Sequence, residues 1–268
     1  MNLQRFGPLL PIGIAVVIVT VTVLAATGHR STASHTSSPP GEVVAPSAGS
    51  AVTTSNVPGL PTTDIFGNRL EVPTDPSGVP LAQDPMSRPN PGQSDYLTVA
   101  PTRLQWQRGW GGAALPVSGS DGPVTIDDGV ASGFAQTPQG AALSACDAIA
   151  RAFAAPDGVW QNVIRFRFRG GGAALTARIG NSRLEALNAA TYLVVPEGIR
   201  VLPGYRSDFA VVQIAVRAST GWVYANWPMV WRDGDWRIRV PDDIESLWQS
   251  AVPISSLTEF GNWKGTPS

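Results

Sequence analysis

Cysteine and histidine are almost missing from this chain. The single cysteine, Cys146, excludes an intramolecular disulfide framework and any cysteine-rich zinc site. The two histidines, His29 and His35, both lie in a polar segment beside the N-terminal apolar run, so the folded part of the chain carries none. That absence excludes Ser-His-Asp and Cys-His catalysis, and histidine–metal chemistry, from the main domain. An excess of either charge is missing too. Nineteen basic residues against 20 acidic ones leave a formal net charge of -1 and no global field to gather nucleic acid or a polycationic partner. No direct nucleic-acid binding is expected, and no cofactor. No internal repeat of solenoid period is present.

A long apolar run is present. From Phe6 to Thr27 the chain reads FGPLLPIGIAVVIVTVTVLAAT without a charge, and about 20 such residues span a bilayer core as a helix. Residues 1–8 are therefore expected to be cytoplasmic and 9–27 to form a single-pass anchor in the cell membrane. The competing reading, a cleaved signal peptide, is disfavoured because the run exceeds the usual signal core of roughly 7–15 residues. Residues 28–95 are rich in Ser, Thr, Pro and Gly and poor in large apolar side chains, as in an exported stalk. Prolines interrupt every regular element there, although DIFGNRLEVP has enough apolar character to dock as a short hook. The domain at 96–250 is accordingly expected outside the membrane, followed by a loose tail at 251–268.

Within the domain, Thr137 and Pro138 form a helix start: a hydroxyl cap, then a proline whose missing N–H costs nothing at the first helical position. The helix runs to about Ala154, with Leu143, Cys146, Ile149 or Ala150, and Phe153 as its buried stripe. Asp147 and Arg151, four residues apart, fit an exposed pair. VWQNVIRFRFRGGG alternates with period two. That pattern predicts a strand with Arg165, Arg167 and Arg169 on one face and Phe166 and Phe168 on the other. A weaker helical segment covers AALTARIGNSRLEALNAATYL, and strands follow in GIRVLPGYR, FAVVQIAVRA, GWVYANWPMVWR and DWRIRVP. Asp233-Gly234 supplies a two-residue hairpin turn that registers Arg232 against Asp235 and Trp231 against Trp236. PDDIESLW closes the fold as a short helix or turn. The order predicts an α+β fold: a curved antiparallel sheet packed on one or two helices, all on one side.

Few residues are equipped for chemistry, and no catalytic or metal-binding residue is assigned. Cys146 lies more than two turns into its helix, beyond the reach of the N-terminal dipole, and reads as a small buried apolar residue. RGGGAAL, starting at Arg169, lacks the lysine of a Walker loop and reads as a flexible turn. Asp127, Asp128, Asp242, Asp243 and Glu245 sit in turn-like sequence without a calcium-loop pattern. Asp147 could act as a lone general base only inside a cavity. Two features remain as candidate interaction surfaces. One is the stripe Arg165, Arg167, Arg169, a row of planar donors suited to phosphates or carboxylates. The other is the pair Trp106 and Trp110 in glycine-rich QWQRGWGG.

The segments DIFGNRLEVP, LQWQRGWGGAALPVSGSDGPV, GVASGFAQTPQGAALSA and LPGYRSDFAVVQIAVR, with the closing WRDGDWRI, resemble an uncharacterised family of actinobacterial membrane proteins associated with conjugative plasmids and integrative elements. The arrangement of anchor, linker and outer domain is also similar to the bitopic assembly factors of type IV secretion, whose outer domain is nuclear-transport-factor-2-like. The resemblance implies a non-catalytic, membrane-anchored scaffold of a DNA-transfer apparatus, partnered by other transfer proteins or by its own copies. Two alternatives stand beside it: a binding module for a small ligand or cell-wall component, and a cavity enzyme resembling ketosteroid isomerase.

Overall fold

The computed structural model describes residues 58–249 and 251–265. The predicted anchor at 9–27 and the first part of the predicted stalk lie outside them. Among the described residues no helix is long and apolar enough to cross a membrane.

Among the described residues the architecture is α+β, with three α-helices and antiparallel-rich sheets. A four-stranded sheet runs in the order β1 (Gly59–Thr63), β2 (Arg69–Val72), β3 (Gln105–Arg108), β4 (Ala114–Val117), with β2 and β3 parallel. A small hairpin, β5 (Thr125–Asp127) and β6 (Val130–Ser132), precedes the helices. Helix α1 (Pro138–Ala154) leads to α2 (Val159–Arg167), then the two-residue β7 (Phe168–Arg169), then α3 (Gly172–Glu185). The large sheet follows as β8 (Gly198–Val201), β9 (Phe209–Arg217), β10 (Trp222–Arg232) and β11 (Asp235–Arg239). β11 lies beside β7 in parallel, and β12 (Val252–Ile254) pairs with the first part of β10. Pro228 falls on β10 between the stretches paired with β12 and β11, where a missing N–H disturbs neither ladder on that edge.

α1 begins as its sequence dictates. Thr137 has extended backbone, its hydroxyl accepts from the N–H of Gly140, and Pro138 occupies the first turn. The expected single buried stripe is not what forms, because α1 is buried on every side from Pro138 to Ala152. The large sheet, β4 and α2 all pack against it, and seven alanines among its 17 residues let those layers approach closely. Arg183 of α3 donates to the carbonyls of Ala152 and Ala155 at 2.9 and 2.6 Å, satisfying the helix end. The hairpin forms in the expected register: Arg232 lies opposite Asp235 and Trp231 opposite Trp236. Asp233 and Gly234 both have positive φ, and the two indoles meet edge to face at 5.5 Å.

Three expectations are corrected. First, residues 159–167, read as a strand, are helical. Trp160, Val163, Ile164 and Arg167 are the buried positions, which is the i, i+3, i+4, i+7 spacing of a helix face. Gly158, at φ 87°, breaks from α1, and its N–H donates to Gln161 Oε1 at 2.7 Å to start the new helix. The period-two pattern of RFRFR misled because its two phenylalanines fall in different elements: Phe166 is exposed, whereas Phe168 is buried on β7.

Second, folded structure begins well before residue 96. β1 and β2 form a hairpin, and the proline-rich stretch after it is strapped to the domain by side chains. Gln107 accepts from the N–H of Val79 at 2.7 Å and donates to its carbonyl at 2.9 Å. Gln83 donates to the carbonyl of Ser118 at 2.7 Å, and Arg88 to that of Ser120 at 2.9 Å. Prolines forbid regular ladders, but an extended chain still offers groups that amide and guanidinium side chains can satisfy.

Third, the tail is a clasp. Gly261 exchanges two backbone bonds with Ile199, and Trp263 is 1% exposed, its indole N–H donating to the carbonyl of Thr98 at 2.7 Å.

Candidate functional site

The structure separates the predicted arginine stripe. Because α2 is a helix, Arg167 lies seven residues beyond Trp160 and turns inward, while Arg165 and Arg169 stay exposed. Arg167 is 2% exposed and forms an ion pair with Asp235 at 2.5 Å. Its other terminal nitrogen donates to Ser144 Oγ and to the carbonyl of Trp236, both at 2.8 Å, and its guanidinium lies 5.0 Å from the centre of the Phe134 ring. Asp235 also accepts from the N–H groups of Gly133 and Trp236 at 2.9 and 2.8 Å. This arginine is a core fastener between α2, α1 and β11.

The tryptophan pair is also withdrawn as a surface. Trp106 is 3% exposed and donates to the carbonyl of Trp263 at 2.6 Å, so it packs under the C-terminal clasp. Trp110 is half-buried, with the guanidinium of Arg151 5.7 Å from its ring centre.

Asp147 and Arg151 do pair, at 2.7 Å, but with no exposure at all. Arg151 also donates to the carbonyl of Gly129 at 3.0 Å, while Asp147 Oδ2 and one terminal nitrogen of Arg151 are buried without partners. Burial raises the Asp147 carboxyl above the ordinary carboxylate range, against the pull of Arg151 and Arg167 and with a further push from Asp235. The pair lies between α1 and the β5–β6 hairpin, tied to its turn through Gly129. Cys146 is buried beside it, and burial pushes its thiol far above the ordinary range, so it is an inert core residue.

The two exposed arginines of the stripe line an open cleft of about 480 Å³. Arg165 from α2, Arg169 from β7 and Arg237 from β11 converge there with Gly170, Gly171 and Gly172. All three glycines have positive φ, and Gly171 is the left-handed N-cap of α3, with no side chain capping the helix. The lining has no carboxylate. Arg237 is tied to the mostly exposed Asp233 at 2.9 Å, and its Nε is shielded without a hydrogen-bond partner. Sequence reading treated RGGG and the arginine stripe separately and missed Arg237. Their common signal was a triple glycine opening a helix directly after an arginine. Among the described residues no group of three or more His, Cys, Asp or Glu could hold a metal ion.

A family model described as a domain of unknown function, DUF8175, matches residues 71–262, from within β2 to the residue before Trp263. Comparison with curated proteins and with solved structures returns no match.

Proposed function

The chain belongs to the DUF8175 family across residues 71–262, and on that premise we propose that it is a non-catalytic, membrane-anchored scaffold of a conjugative, type IV secretion-like transfer apparatus. Its outer domain is of the nuclear-transport-factor-2-like kind, and its partners are other transfer proteins or further copies of itself. The supporting observation is the packing of α1 against the large sheet. In folds of this kind the concave sheet face is where a ligand chamber would sit. Here α1 packs into it: two spaces along the helix measure about 30 and 20 Å³, room for a water or two. They are lined by apolar side chains such as Ile149, Ile214, Phe168 and Trp227. A fold whose interior is committed to its own packing offers its surfaces for function. The N-terminal apolar run would hold those surfaces at a membrane.

The test has two arms. The full chain, solubilised from membranes, is used to pull down partners, and conjugation is measured in a strain lacking the gene. Recovery of secretion components with impaired transfer is the expected result. Recovery of none, with unimpaired transfer, overturns the reading.

A further inference from the structure

The arginine-lined cleft has a chemistry that the scaffold reading does not use. Three arginines from three different elements line one space, and among the described residues no Asp or Glu pairs with Arg165 or Arg169. Arg237 is tied to an exposed carboxylate, and the Arg165 guanidinium lies 5.3 Å from the centre of the Phe166 ring. Arg239, exposed and in register with Arg169 across the parallel β7–β11 pair, adds a further positive charge to that strand pair. An edge strand guarded against aggregation needs charge, but not arginines converging from a helix, an edge strand and its neighbour upon one concavity.

The glycines bear on the same space. A Cβ at Gly171 would meet Leu175 Cβ at 2.7 Å, and one at Gly170 would meet the carbonyl of Val240 at 3.1 Å. At these two positions bare backbone is the fit between β7 and α3. The first-turn N–H groups of α3 have no side-chain cap, and they add partial positive charge beside the arginines. The cleft also carries neutral polar groups: Gln161, whose carbonyl oxygen is occupied by Gly158 and whose amide N–H groups remain, and the hydroxyl of Thr176. Ile164 and Phe168 give it an apolar floor.

We infer that this cleft binds the phosphate group of a small polyol phosphate ester, held by Arg165, Arg169 and Arg237 at the N-terminus of α3. Forked guanidiniums match the paired oxygens of a phosphate. The volume of about 480 Å³ exceeds what a bare phosphate needs and falls among ordinary small-ligand clefts. Gln161 and Thr176 supply partners for the hydroxyls of the ester. The inference goes beyond the scaffold reading and does not depend on it.

The experiment uses the full chain in detergent, titrated calorimetrically with inorganic phosphate, glycerol 3-phosphate and monomeric short-chain phosphatidylglycerol, with short-chain phosphatidylcholine as control. The Arg165→Gln/Arg169→Gln double variant and Arg165→Gln alone are compared with it, their melting temperatures confirming the fold. Both side chains are exposed. Binding of glycerol 3-phosphate more tightly than inorganic phosphate is expected, weakened about tenfold by each arginine lost and weakened by added salt. If only phosphatidylglycerol binds, with the same arginine dependence, the ester is a lipid headgroup; if the soluble ester binds equally well, it is a free metabolite. Absence of binding by every phosphate probe overturns the inference, as does binding that the double variant leaves unchanged. A single-stranded oligonucleotide bound more tightly through the same arginines overturns it in favour of a nucleic-acid surface.

Discussion

Arg167 on α2 and Asp235 on β11 meet 2.5 Å apart inside the protein, 68 residues apart in the chain. Removing the guanidinium would strand a carboxylate in the core with only backbone donors left to it. Arg167→Met is therefore expected to cost about 3 kcal/mol of stability, whereas Arg165→Met and Arg169→Met, at exposed positions, should stay within about 0.5 kcal/mol. Urea denaturation of the three variants checks this. Equal losses at all three positions would restore the surface stripe.

The buried carboxyl of Asp147 makes stability depend on pH. Its proton is held more tightly in the folded chain than in the unfolded one, because burial penalises the charged form. From the ordinary carboxylate value upward to its folded value, the native state therefore binds the extra proton, and the contribution of Asp147 to stability falls as pH rises. Asp147→Asn cannot titrate. Its stability relative to the parent should climb as pH increases through the acidic range, and a flat difference between the two denaturation profiles would refute the assignment.

Two helical glycines should respond in opposite directions to alanine. At Gly140, in the first turn of α1, a Cβ would lie 2.0 Å from the carbonyl oxygen of Ala135. At Gly180 in α3 the nearest atom is Trp160 Cη2 at 3.5 Å, an ordinary contact. Gly180→Ala is expected to stabilise by about 0.4–1 kcal/mol through the unfolded chain. Gly140→Ala should destabilise by about 1–3 kcal/mol despite alanine's better helix propensity. Thermal melting of the pair decides the sign of each.

The C-terminal clasp should matter as much as the core does. Trp263 is 1% exposed and accepts through its carbonyl from the indole of Trp106. Trp263→Ala is expected to cost about 3–5 kcal/mol and to leave the carbonyl of Thr98 without its indole donor. A denaturation midpoint unmoved by this variant would show the tail to be dispensable.

What the sequence determined by itself was local. Thr137-Pro138 could only begin a helix, because a hydroxyl cap and a proline with fixed φ satisfy the same helix end. Asp233-Gly234 set the register of β10 on β11 because few residue pairs accept positive φ twice in succession. The scarcity of cysteine and histidine removed whole classes of chemistry before any fold was known. Residues 159–167 show where local reading ends: strand and helix periods both fit a short stretch of alternating Arg and Phe. The choice fell to tertiary packing, which buries Trp160, Val163, Ile164 and Arg167 together. The same packing turned Asp147 and Arg151 from an exposed helix pair into a sealed one, since three layers cover α1 and no residue of that helix records them. The arginine cleft is tertiary in the same sense. Arg237 joins Arg165 and Arg169 only because β11 pairs with β7 in parallel, a contact between segments about 70 residues apart whose energy lies in long-range burial and hydrogen bonding that no local pattern encodes.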